Sequence, residues 1–437
     1  MRCALRSKNL NVSVLQNTTV KEYMRTIAQE KTNQHNNEPF TVTNISSIVD
    51  QINNWKEWFG SIEPYFALKA QNNPVTQRLF HRLGLGYDCA SLSEILSVRR
   101  TGCSPSKIIV SHPFKSYDCI RDVIIHRMVT VVDSLQECNK VDTIYRQLLT
   151  ERTLNNMPDI DIPSILIRIK PSEVAISKVE VDMSTKFGVR WDQFEKLAEH
   201  CKKLGLNVKG VSFHPGLRAN DAEPWTETIA FTRHCFDILL GLGFNPSIID
   251  IGGGYQRRED GNVSSKVIGN SIQQSVKKHF QNHTASPTVV AEPGAFMVST
   301  SQNTAACVTG IRMENPMHPE YHLSAGVFNG FIWHLSDPAY QANVEPLLLK
   351  DMTSKVHLKN SKMWGVSCDS MDNLGEVMIQ TLEEGDWVYY SGVGDYSNEL
   401  NTTFNGFSAP AMYYCCEERH YNMLEGLLSD NFNFKKF

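Results

Sequence analysis

No apolar run in this chain of 437 residues reaches the ~18 needed to cross a bilayer, so no transmembrane helix is expected. An excess of one charge is missing too. The 43 Lys and Arg against 47 Asp and Glu leave a formal net charge of −4. That offers neither a basic face for nucleic acid nor an attraction to an anionic membrane. The stretch from Met1 to Asn11 has basic residues but lacks the apolar centre of a secretion signal. The 11 cysteines are odd in number and follow no small-domain framework, so reduced thiols in a cytoplasmic protein are expected. Internal repeats and low-complexity segments are absent as well. What is present is a substantial core: 41% hydrophobic residues exclude a mostly disordered chain. The length predicts two domains, one of them a large barrel.

Eight short apolar or β-branched runs punctuate the first two-thirds, at 65–70, 86–90, 107–111, 128–133, 164–170, 208–214, 247–252 and 288–292. Stretches of helical character lie between most of them, such as 73–82, 92–100, 191–204 and 223–242. Strands alternating with helices indicate parallel βαβ units, and eight such units predict an α/β fold, a TIM-type (β/α)8 barrel over 44–294. After Gly294 the pattern changes to shorter strands at 306–313, 322–327, 355–358, 386–390 and 412–415. These predict a second, all-β domain over 295–437, a Greek-key barrel or sandwich. Residues 1–43 fit neither pattern and are assigned to a segment joining the β domain, loosest at 31–37.

Active sites of such barrels lie at the C-terminal ends of the strands. Those ends carry Lys69, Asp88, Arg168, His214, Gly252-Gly253-Gly254 and Glu292. The run Tyr65-Phe66-Ala67-Leu68-Lys69-Ala70 reads as a strand, which places Tyr65, Ala67 and Lys69 on one face. A desolvated amine at a strand end suits Schiff-base chemistry. Triple glycine after the seventh strand lets backbone N–H groups approach an anion, although a tight turn without ligand reads equally well. Glu292, in Glu292-Pro293-Gly294, can hydrogen-bond a protonated ring nitrogen. Taken singly, it reads better as a structural salt-bridge partner. His214 can stack on a flat ring, although a lone histidine is more often part of a core. Arg168 lies in an apolar strand and needs an anion, for which Glu292 or Asp88 can serve. A lysine, an anion nest and a carboxylate for a pyridinium together describe a pyridoxal phosphate site. Cys415-Cys416-Glu417-Glu418-Arg419-His420 fits no zinc spacing and reads as structural.

These motifs, with Gly86-Tyr87-Asp88-Cys89-Ala90-Ser91, Gly210-Val211-Ser212-Phe213-His214, Asp250-Ile251-Gly252-Gly253-Gly254-Tyr255, Trp364-Gly365-Val366-Ser367-Cys368-Asp369 and Thr403-Phe404-Asn405-Gly406-Phe407, resemble eukaryotic ornithine decarboxylases. Those are pyridoxal phosphate enzymes of the alanine-racemase-like fold type. The resemblance spans about residues 20–420. It implies that Lys69 holds the cofactor, His214 stacks on its ring and Glu292 pairs its nitrogen, with Asp88 and Arg168 in support. The three glycines and Tyr396 would hold the phosphate. Cys368, a proton donor, and Asp369 would enter from the second subunit of a homodimer, and Asp369 with Asp337 would bind the distal ammonium of ornithine. The product would be putrescine. Three positions depart from the family. Ala295 stands where an arginine grips the phosphate, Leu217 where a serine contacts it, and Ser336 where a tyrosine precedes Asp337. Those departures also suit a non-catalytic paralogue resembling antizyme inhibitor, with antizyme as its partner. Asp369 argues against a diaminopimelate decarboxylase, which carries glutamate there.

Overall fold

In a computed structural model, residues 10–255, 263–331, 343–349, 357–430 and 432–437 are described. The chain divides into two compact units, residues 52–296 and residues 1–51 with 297–437.

The first unit is a closed barrel of eight parallel strands. They are β1 (Glu63–Ala67), β2 (Gly86–Cys89), β3 (Ile108–Val110), β4 (Val129–Val132), β5 (Ser164–Arg168), β6 (Asn207–Ser212), β7 (Ile248–Asp250) and β8 (Thr288–Ala291). Six of the strands lie within runs read from the sequence, and the other two overlap theirs, β1 starting two residues before its run and β6 one residue before. The barrel closes where β8 pairs with β1, Ala291 opposite Pro64. Helices return the chain between strands, and side chains start many of them. Asn73, Ser91, Ser116, Ser134 and Ser264 each accept a backbone N–H of the first turn, a cap worth about 1 kcal/mol.

Inside the barrel, Tyr65, Ile109, Val131, Leu166 and Val290 form one apolar layer. Burying such side chains contributes about 1.5–3 kcal/mol each. A strand repeats its facing every two residues. The next inward position is therefore Ala67, Ser111, Asp133, Arg168 and Glu292 on those five strands or just past their ends. On β2, a Cβ at Gly86 would strike the Tyr65 ring at 2.5 Å, so Gly86 faces inward and Asp88 follows it. Ser212 and Asp250 occupy the same level on β6 and β7 and bond each other. The apolar plug thus carries a polar lid of seven functional side chains, broken only by Ala67.

The second unit is built on a ten-stranded mixed sheet whose main path runs from Asn373–Gln380 to Phe432–Lys436. Leu10–Leu15 pairs in parallel with both Ala411–Glu417 and Phe432–Lys436, and Phe40–Asn44 pairs with Ala411–Glu417 and Gln302–Arg312. Two helices accompany the sheet, Val20–Asn33 and Glu418–Leu428. The first opens with a reciprocal capping box between Thr19 and Glu22. Its last turn contains Lys31, which is buried, so the segment expected to be loosest is partly anchored. One core gathers Tyr23, Met24, Ile27, Phe40, Val42 and Trp387.

Candidate active site

Lys69 differs from its sequence reading. The strand ends at Ala67, and Leu68–Ala70 form a turn of 3-10 helix. Alternation therefore does not set where Lys69 points. Its side chain is 53% exposed, not desolvated, and its Nζ lies 3.8 Å from Oδ2 of Asp88. The strand yields because Asn73 caps the next helix at once, leaving the chain three residues to turn. An amine at the rim remains reachable by a substrate carbonyl.

Asp88, Asp250 and Glu292 are buried. Asp250 accepts from the Ser212 hydroxyl at 2.9 Å and from the Gly252 N–H at 3.0 Å, and it hydrogen-bonds Glu292. Glu292 also accepts a hydrogen bond from Ser111. Burial first, then the neighbouring Asp250 and Asp88, holds the Glu292 carboxyl well above the usual carboxylate range. Burial raises Asp250 in the same way. Two carboxyls bonded to each other in a dry site keep one proton between them.

His214 follows β6 at the same end. Its Nδ1 accepts from the Gly216 N–H at 3.2 Å, which leaves Nε2 to carry the proton of a neutral ring. Burial, with Arg168 and Lys69 adding to it, pushes the imidazole well below its usual range. A neutral, fixed ring is suited to stacking. Arg168 ends β5, but its expected partners are wrong. The guanidinium lies 5.4 Å from the centre of the Phe187 ring, not against Glu292 or Asp88; burial pushes the Asp133 carboxyl up, and the Gly188 N–H and the Arg168 charge only partly oppose this.

Gly252, Gly253 and Gly254 form the loop after β7. Gly252 and Gly254 have φ of 63° and 93°, the left-handed region that glycine tolerates. A Cβ at Gly252 would lie 2.4 Å from the Phe213 carbonyl oxygen, and one at Gly254 2.3 Å from that of Gly216. The backbone is thus drawn tightly against the loop after β6, and side chains are excluded. Arg218 lies 2.9 Å from Glu180.

Cys368 and Asp369 lie in the sheet unit, on the loop after Leu358–Trp364. Cys368 is exposed. Its backbone N–H is held by Oδ1 of Asn405 at 3.0 Å, and the Asp369 carboxylate caps Met371 N at 2.8 Å. Buried Asp372 clamps the same loop, accepting from Val327 N at 2.6 Å and Ser367 N at 2.7 Å. The two motifs read separately from the sequence, around Trp364 and Thr403, therefore meet through Asn405 and Cys368. Tyr396 lies in the same unit with φ of 52°. Asp337 and Ser336 fall outside the described residues.

Sequence reading missed Ser111, Ser212, Asp250, Asn405 and Asp372 as functional. Asp250 gave a usable signal, a lone carboxylate ending the apolar run Ile248-Ile249. Among the described residues no cluster of His, Cys, Asp or Glu could hold a metal ion, and no helix is long and apolar enough to cross a membrane.

Glu292 yields a stability prediction. An acid whose pKa is higher folded than unfolded gains a proton on folding. Its stabilisation is complete below the unfolded value, about 4.3, and is lost as pH rises toward the folded one. Glu292→Gln keeps a donor for Asp250 and an acceptor for Ser111 but cannot ionise. The cofactor-free variant is expected to melt a few degrees above wild type at pH 8 and close to it at pH 5, by scanning calorimetry. An equal gap at both pH values would refute the shared-proton arrangement.

Comparison with known proteins agrees with this geometry. The chain is 29% identical to a probable ornithine decarboxylase of Dictyostelium discoideum, over 86% of this chain and 79% of that one. It is 26% identical to antizyme inhibitor 2 of Xenopus laevis, over 90% and 84%. The arginine decarboxylase of Paramecium bursaria Chlorella virus, solved with agmatine, superposes with a TM-score of 0.79 at 27% identity, covering 90% of this chain and all of that one (100%). The pyridoxal binding domain of pyridoxal-dependent decarboxylases matches residues 45–299, and their C-terminal sheet domain matches 295–394. The chain belongs to the pyridoxal-dependent decarboxylase family, and its cofactor is pyridoxal 5'-phosphate.

Proposed function

We propose that this protein decarboxylates a basic amino acid, ornithine first, releasing carbon dioxide and putrescine. The observation that carries the reading is the acid pair Asp250–Glu292, buried below an accessible amine, Lys69, and a neutral imidazole, His214. These residues fit the ring end of the cofactor. Lys69 supplies the amine for its aldehyde, His214 a flat face, and Glu292 a carboxylate whose shared proton suits a ring nitrogen. The glycine loop offers the phosphate its backbone N–H groups, while among the described residues Ala295 brings no charge and Arg218 is paired with Glu180. Bound pyridoxal phosphate supplies the electron sink for the pair left behind when the carboxylate departs.

The remaining roles belong to the chain itself. Asp88, 3.8 Å from Lys69, stabilises the ammonium form and so restrains the amine when it is released. Cys368, exposed on a loop fixed by Asn405 and Asp372, takes the role of returning a proton to the carbon that lost the carboxylate. Asp369, with Asp337, offers carboxylates to the cationic side-chain terminus of the substrate. Cys368 and Asp369 act on the barrel of a second copy, so the working unit is a homodimer.

The test is carbon dioxide release from carboxyl-labelled ornithine, lysine and arginine with saturating cofactor. Ornithine is expected to lead lysine by about 10–200-fold in kcat/KM, the usual yield of one methylene. Release from none of the three would sink the enzyme reading. Ala295 and Leu217, in place of the expected arginine and serine, favour a second reading, a regulatory protein that binds antizyme without catalysis. Failure to bind the cofactor at all, together with a stable antizyme complex, would establish it.

A further inference from the structure

One contact at the barrel mouth has no part in the roles above. Ser111, directly after β3, is 7% exposed and donates its hydroxyl to Oε1 of Glu292 across the barrel. Its own backbone N–H is held by the Cys89 carbonyl at 3.2 Å. Behind it, the ammonium of Lys115 is fully enclosed. It donates to the carbonyls of His112 at 3.0 Å and Val131 at 2.7 Å and lies 3.1 Å from Glu137. Glu137 is paired in turn with Lys140 at 2.6 Å. Breaking such a buried pair is strongly unfavourable, so the loop carrying Ser111 is held in one arrangement. The His112 Nδ1 accepts from Phe114 N at 3.0 Å and closes the turn.

Hydrogen-bond logic then assigns the two oxygens of Glu292. When Glu292 is ionised the Ser111 hydroxyl can only donate to it, so Oε1 is the oxygen engaged by Ser111 and Oε2 is left for another partner. We infer that Ser111 is a positioning residue for Glu292, occupying Oε1 so that Oε2 is the atom presented to the cofactor's ring nitrogen. The same hydroxyl stabilises the carboxylate form, so the proton rests on the ring nitrogen when the two meet. A protonated ring is the stronger electron sink. Asp250 on β7, Asp88 on β2 and Lys69 after β1 also act on Glu292, while Arg168 and Lys69 act on the neighbouring His214. All of these remain in place when Ser111 alone is changed.

This inference rests on the reading of Glu292 as the ring partner. It is tested on the holoenzyme with pyridoxal phosphate labelled with nitrogen-15 in the ring, at saturation, in wild type, Ser111→Ala and Ser111→Thr. Wild type should show a protonated ring nitrogen. Ser111→Ala should move the resonance toward the unprotonated position and lower kcat about tenfold, with KM little changed, the size expected for a hydrogen bond to a charged group. Ser111→Thr, which restores the hydroxyl, should restore both. An alanine variant with the wild-type resonance overturns the inference while leaving Glu292 its role. So does a loss of kcat that threonine does not recover, which marks a packing defect. An unprotonated ring in wild type overturns the Glu292 reading itself.

Discussion

Lys69→Ala is expected to lower kcat/KM by roughly 10^4, the scale seen when an enzyme loses the group that forms its covalent bond. The variant should fold as wild type does. Lys69 is half exposed, and its ion pair to Asp88, at 3.8 Å, is long and partly solvated, so that pair contributes little stability. Borohydride reduction of the wild-type holoenzyme and peptide mapping should place the pyridoxyl group on Lys69. Labelling elsewhere would remove Lys69 from its role. The same variant tests the homodimer. Lys69→Ala mixed with Cys368→Ala at equal amounts should recover about a quarter of wild-type activity. Half of the dimers are then mixed, and one of the two sites in each carries both groups. No recovery despite subunit exchange would mean that Cys368 does not act across an interface.

The barrel was legible because its signal is local and repeated. A strand run, a serine or asparagine cap and a helix recur along residues 63–291, and each run overlaps its strand. Asp88, Arg168 and Glu292 were read from the strand ends, and the structure has them at or just past those ends. Alternation failed at Lys69, since it presumes a strand and the cap at Asn73 bends the chain first. The sequence also misled at Arg168. Charge complementarity alone pointed to Glu292 or Asp88, whereas Glu292 is engaged with Asp250 and Ser111 and Asp88 with Lys69, and Arg168 lies over Phe187.

The sheet unit was read less well. Leu10–Leu15 and Phe432–Lys436 are neighbours although more than 400 positions apart, and nothing in either segment encodes the other. Asn373–Gln380 contains Gly375 and exposes much of its length, including Met378, so its alternation is weak. Its place comes from pairing with Leu358–Trp364. Asp372 and Asn405 were hidden for a similar reason. A loop clamp shows only when the loops it joins are brought together.

The second large effect concerns the phosphate. In related enzymes the residue after Glu-Pro-Gly is an arginine that grips the cofactor's phosphate, and here it is Ala295, half-buried at the start of the short helix Ala295–Val298. Leu217 carries no hydroxyl, and Arg218, with φ of 54°, pairs with Glu180 on the strand Val179–Val181. An arginine–phosphate contact is charge-assisted and worth about 1.5–3 kcal/mol. At about 1.4 kcal/mol per tenfold, its absence weakens cofactor binding roughly 10- to 150-fold. Ala295→Arg is therefore expected to tighten binding by that factor and to leave the ring contacts of His214 and Glu292 unchanged. The measurement is a titration of pyridoxal phosphate into wild type and variant, following the visible absorption band of the bound cofactor, with dialysis afterwards. Wild type should lose its cofactor on dialysis and regain activity when it is added back, whereas the variant should retain it. Tight wild-type binding that the substitution leaves unchanged would show that another cation already fills the cradle. Binding by neither chain would turn the reading toward the regulatory protein.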